Sequence, residues 1–164
     1  VRGDFGLNIY NSRAMHYLRT IGVDSQLLSF EMTMPQIRDV SKAVPSEVMI
    51  YGRLPLMLME NCVMKNRTGI CACQTGTVRL VDRVGEEFPI VKDPGTCRNV
   101  LLNGKKLYLL DKKDALRGMG LWALRLQFTT ENPSEIDKVL MDYQGRAVFD
   151  AGSYTRGLYS RGVE

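Results

Sequence analysis

Apolar positions along the chain follow two alternating spacings, and the alternation predicts an α/β fold. Met15, Leu18 and Ile21 recur at three-residue steps, which puts their side chains on one face of a helix. Ser12 reads as the N-cap of that helix and Gly22 as its stop, because glycine accepts the left-handed conformation that closes a helix. Val23 to Phe30 then reads as a strand. A second helix opens at Thr33, which stands at capping-box spacing from Gln36 with Pro35 in the first turn. Its core face is Ile37, Val40 and Val44, and Pro45 ends it. Val48-Met49-Ile50-Tyr51 is a short continuous apolar run, the mark of a strand covered on both faces.

The pattern resumes later. Leu107 to Leu110 and Leu121 to Phe128 read as strands, with Asp111 to Arg117 a short helix between them. Asn132-Pro133-Ser134-Glu135 opens a further helix that buries Ile136, Val139, Leu140 and Tyr143. Such alternation is the pattern of βα units on a parallel sheet. From Gly52 to Val100 it breaks: Gly69, Gly76, Gly85, Pro94 and Gly95 punctuate short β-like runs, and Thr77 to Val81 with Phe88 to Val91 reads as a β-hairpin. We expect a single domain over 1–164 with 52–100 as an insertion.

Hydrophobic residues at 45% and charged residues at 24% exclude a disordered or fibrous chain. No apolar run approaches the ~20 residues that cross a bilayer. The chain begins with Val1 and shows no secretory signal, so it is expected to be a piece of a longer, cytoplasmic protein. A formal charge of +4, with basic residues at Lys105-Lys106, Lys112-Lys113, Arg156 and Arg161, permits an anionic partner such as RNA; ordinary solvated surface explains it equally.

The chemistry concentrates in the irregular stretch, which holds every cysteine: Cys62, Cys71, Cys73 and Cys97, separated by eight, one and 23 residues. Thiolates on loops can fold round a soft metal, and four of them suit tetrahedral zinc or a four-iron cluster. The Cys-x-Cys step is unlike the paired knuckles of zinc ribbons. Two disulfides or four separate buried thiols remain as alternatives. His16 is the single histidine, which excludes His-rich zinc sites and the His-Glu-x-x-His helix, and no Gly-rich phosphate loop occurs. At expected strand ends stand Glu31, Arg53 and Glu131, while Arg125 lies within a strand. A carboxylate and two guanidiniums near one barrel mouth would suit a polar or anionic substrate. Structural ion pairs or helix caps account for them as well.

Ser29-Phe30-Glu31-Met32, Tyr51-Gly52-Arg53-Leu54-Pro55-Leu56-Met57, Asp82-Arg83-Val84-Gly85-Glu86-Glu87-Phe88-Pro89 and Tyr154-Thr155-Arg156-Gly157-Leu158-Tyr159-Ser160-Arg161-Gly162-Val163 together resemble successive motifs of the U-32 peptidase family. Asn8-x-Tyr10-Asn11-Ser12 and Leu124-Arg125-Leu126 extend the resemblance over nearly the whole chain. It is closest to the long, multidomain bacterial type, and it implies the C-terminal part of a TIM-like (β/α) barrel with an inserted Cys-bearing loop and hairpin. The family name, collagenase-like protease, implies peptide hydrolysis. Other members are iron–sulfur enzymes that hydroxylate ubiquinone precursors or RNA without molecular oxygen. By that resemblance Cys62, Cys71, Cys73 and Cys97 would hold a 4Fe-4S cluster, and Glu31, Arg53 and Arg125 would place substrate. A peptidase, and a non-catalytic binding module held together by zinc, are the competing expectations.

Overall fold

The computed structural model describes residues 1–40, 42, 44–70, 78–93 and 96–160. In chain order the elements are β1 (Arg2–Gly3), α1 (Ser12–Thr20), β2 (Ser25–Leu27), α2 (Met34–Asp39), β3 (Ser46–Gly52), β4 (Pro55–Met59), α3 (Val63–Thr68), β5 (Val78–Val81), β6 (Glu87–Lys92), β7 (Asn99–Leu102), β8 (Lys106–Tyr108), α4 (Lys113–Arg117), β9 (Ala123–Gln127), α5 (Pro133–Tyr143) and β10 (Tyr154–Thr155). They divide into two compact units, Val1–Gly52 with Leu107–Glu164, and Arg53–Lys106.

The first unit is α/β, with its sheet built around β3. All seven residues of β3 are buried, as its uninterrupted apolar run requires. β9 runs parallel along one edge of β3, from Glu47 opposite Ala123 to Gly52 opposite Gln127. The other edge is shared. β2 pairs in parallel at Ser46 and Glu47, and β1 in parallel with β2. β8 pairs antiparallel at Tyr51 and Gly52. The sheet is therefore mixed, where βα alternation alone predicted a parallel one, and the described strands close no barrel. Between the two partners on the shared edge, the Met49 carbonyl accepts a hydrogen bond from the buried Tyr159 hydroxyl at 3.2 Å. Gly52 sits at φ +133°, and a Cβ there would stand 2.2 Å from the Gln127 carbonyl oxygen, so only glycine lets β3 and β9 stay paired to their ends.

The helices follow their sequence signals, with local corrections. Asn11, rather than Ser12, caps α1 by accepting from the Ala14 N–H at 2.9 Å. Ile21 is 61% exposed instead of lying in the core, because α1 ends at Thr20 and Ile21 falls past its last turn. The Thr33–Gln36 capping box forms, yet α2 stops at Asp39, well before Pro45. The Lys42 ammonium group explains the early stop: it donates to the Ile37 carbonyl and, at 2.8 Å, to the Val40 carbonyl, taking acceptors that the helix end leaves unpaired. The run after β8 splits into a 3-10 turn (Leu110–Lys112) followed by α4. α5 carries the full Asn132–Glu135 capping box and buries Val139, while Leu140 at its flank is 37% exposed.

The second unit is a four-stranded antiparallel sheet in the order β4-β7-β6-β5. The β5–β6 hairpin turns at Asp82, whose carboxylate accepts from the Val84 N–H at 2.8 Å and the Glu86 N–H at 2.9 Å. Thr77, expected to open that hairpin, lies outside the described residues. No helix among the described residues is long and apolar enough to cross a membrane.

Candidate functional site

Two of the four cysteines are described, and the strand pairing brings their chain segments to one end of the second unit. β4 and β7 run antiparallel, and their last pair is Met59 opposite Asn99. Cys62 follows three residues after Met59, and Cys97 precedes Asn99 by two. The segments are tied to each other: the Val63 N–H donates to the buried Asn99 side chain at 3.0 Å, and Arg98 Nε meets Glu60 Oε2 at 3.0 Å. Thr96 shapes the approach to Cys97, its Oγ1 bonded to Asp93 Oδ2 at 2.8 Å and accepting from the Arg98 N–H at 3.1 Å. Cys62 caps α3, its Sγ 3.5 Å from the Lys65 N–H. Both thiols are free, Cys62 half-buried and Cys97 exposed. β5 starts at this same end, since Val78 pairs with Ile90, and Ile90 with Leu101 in the strand that opens at Asn99. Cys71 and Cys73 lie outside the described residues, and no group of three His, Cys, Asp or Glu among the described residues could hold a metal.

The strand-end residues fall in both units. Arg53, in the second, donates Nη1 to the Asn103 carbonyl at 2.8 Å and to the Gly104 carbonyl, clamping the turn after β7. Arg125, on β9 in the first unit, places Nε and Nη2 at 3.0 and 2.7 Å from Glu47 Oε2 and Nη1 at 2.5 Å from Asp4 Oδ1. Glu47 is almost fully buried on β3 and also accepts from Ser25 Oγ at 3.3 Å. Burial opposes charge on Arg125, but the two carboxylates outweigh it and hold the guanidinium's pKa above its ordinary value. Glu31 follows β2, half-buried, with its backbone N–H on Ser29 Oγ at 3.2 Å and no side-chain partner among the described residues. Glu131 is held in place: Oε2 accepts from the Thr129 and Thr130 N–H groups at 2.8 and 3.0 Å, and Oε1 from the Tyr51 hydroxyl at 3.3 Å. His16 is exposed on α1.

Two polar groups escaped the sequence reading. Glu47 sits one residue before the apolar run of β3, and a charge at the edge of a buried strand is the signal that could have marked it. Tyr108 donates to Asp142 Oδ2 at 2.6 Å, and burial together with that carboxylate raises its pKa.

Residues 4–151 match the family model for peptidase family U32. The chain belongs to peptidase family U32. The matched span takes in both compact units, all four cysteines and Glu31, Arg53 and Arg125, whereas the Tyr154–Val163 motif lies beyond it. No curated protein and no solved structure matches this U32 chain.

Proposed function

We propose that this U32 chain is part of a (β/α)-barrel enzyme that hydroxylates RNA without molecular oxygen, with Cys62, Cys71, Cys73 and Cys97 holding a 4Fe-4S cluster. The observation that carries the reading is the convergence of the Cys62 and Cys97 segments at one end of the β4–β7 pair, both thiols free. Cys73 precedes Val78 by five residues, a reach of at most ~18 Å, and Val78 opens its strand at that same end. An all-thiolate donor set on irregular backbone suits an iron–sulfur cluster. When bound, the cluster would supply one-electron transfer. The chain's own residues would cap and orient it: Asn99 fixes the turn into α3, and the Glu60–Arg98 pair ties that turn to the Cys97 segment. Glu31, whose carboxylate has no partner among the described residues, would contact substrate. Arg125 and Arg53 would act by positioning, since each is already engaged with protein oxygens.

Iron, acid-labile sulfide and zinc measured in protein purified without oxygen, together with the visible spectrum, test the reading. Iron with matching sulfide and absorption near ~400 nm, both lost in Cys62→Ser and in Cys97→Ser, is the expected result. Zinc alone would replace it with a structural metal site. Peptide hydrolysis, which the family description favours, requires cleavage that survives both substitutions.

A further inference from the structure

β1 is interrupted where its neighbour is not. Gly3 stands opposite Gln26 and Ile9 opposite Leu28, so six residue steps on one strand face two on the other, and residues 4–8 leave the sheet at its carboxyl end. The excursion is tied at both ends. Asp4 accepts from the Phe5 N–H at 2.8 Å and binds Arg125 on β9, the Leu7 N–H donates to the Asp4 carbonyl at 3.0 Å, and the Asn8 N–H to the Phe5 carbonyl at 2.9 Å. Asn8 closes it at φ +43°, the only positive φ of a non-glycine residue among the described residues, and a backbone state that concentrates at binding sites.

What the excursion presents is aromatic. The Phe5 ring lies 6.4 Å from the Phe30 ring, tilted by 39°, with Phe5 36% exposed and Phe30 half-buried. Tyr10 beside them is steadied by Gln36 Nε2, which donates to its hydroxyl at 3.2 Å. Glu31 follows Phe30 in the chain, half-buried and with no side-chain partner among the described residues, whereas Asp4 is taken up by Arg125. A carboxylate drawn partly out of water without a cation calls for a donor from elsewhere. These groups stand at the carboxyl ends of β1 and β2, the end of a parallel sheet where ligands bind.

We infer that Phe5, Phe30 and Glu31 receive an unstacked nucleobase that carries an amino group, the two rings packing against its face and the Glu31 carboxylate accepting from the amine. An ionised carboxylate only accepts, so it suits the amino edge of cytosine, adenine or guanine. Uracil is disfavoured, because its ring N–H is flanked by two carbonyl oxygens that a carboxylate repels. That the base belongs to an RNA strand rests on the proposed function; the recognition of a flat ring with an amine does not.

The test is fluorescence anisotropy of labelled oligocytidylate and oligouridylate of equal length with the full chain at neutral pH. The cytidylate should bind about five-fold or more tightly than the uridylate, the discrimination expected of a contact to a base edge. Glu31→Gln keeps the shape of the side chain but supplies an amide that donates to a uracil carbonyl, so the preference should fall to near parity. Phe5→Ala should weaken both polymers about ten-fold, as loss of a stacking ring does, and leave their ratio unchanged. Equal affinity for the two polymers in the unaltered chain, binding of neither, or a ratio that Glu31→Gln does not move would each overturn the inference. Circular dichroism confirms that both variants are folded. Retained discrimination in protein that takes up no iron would keep the base site and remove the cluster reading, while a loaded cluster with equal affinity for both polymers would remove the base site alone.

Discussion

Tyr159 carries its hydroxyl to the Met49 carbonyl, between the stretches of β3 that pair with β2 and with β8, and its own backbone carbonyl accepts from the Met34 N–H at 2.9 Å. Tyr159→Phe keeps the ring but strands the Met49 carbonyl, and should cost about 1–3 kcal/mol in chemical denaturation. The buried phenol also has a raised pKa, as does that of Tyr108. In the unfolded chain both ionise near ~10, so the folded state holds these protons more tightly. The stability they contribute is complete below that pH and is lost as pH rises above it. Denaturation midpoints taken from neutral to strongly alkaline pH should fall, and fall less steeply in Tyr159→Phe. Arg125 makes the converse case: Arg125→Met leaves the Glu47 carboxylate buried without its cation, an expected loss of about 3–5 kcal/mol at neutral pH.

Among the elements, those with local chemical signals were legible before any coordinates. Thr33 with Gln36, and Asn132 with Glu135, mark helix starts because each side chain satisfies a backbone donor three residues away. Asn132→Ala should therefore destabilise by about 1 kcal/mol, read as a shift in the denaturant midpoint. Gly52→Ala should cost more, since no side chain fits between β3 and the Gln127 carbonyl. Where partners are distant in sequence the reading failed. β8 pairs antiparallel across an inserted unit, and Glu47 meets an arginine 78 residues away. β4 has three exposed apolar residues in succession, Leu56, Met57 and Leu58, so it lacks the alternation that announces a half-buried strand.

For the molecule as a whole, the family was legible because its motifs are spread through both units, and the match over residues 4–151 bears that out. The cysteines were legible only as a clustering in sequence. The structure adds that the Cys62 and Cys97 segments share one end of a sheet, through pairings that no spacing rule contains. For Arg53 the structure adds what no strand-end position shows, bonds to the Asn103 and Gly104 carbonyls that tie it to a turn fifty residues on.

The discontinuity of the first unit governs how the chain must mature. β3 ends at Gly52, but the strand that covers its far edge ends at Gln127, 75 residues later, and the Tyr159 hydroxyl arrives later still. At ~5–20 residues per second of synthesis, the most buried strand waits roughly 4–15 s for β9. The second unit is contiguous and emerges in full during that interval, so it can be folded while β3 is still exposed. Aggregation on the ribosome, or capture by a chaperone that grips extended apolar segments, should accordingly map to Val48–Tyr51 and not to the cysteine-bearing unit.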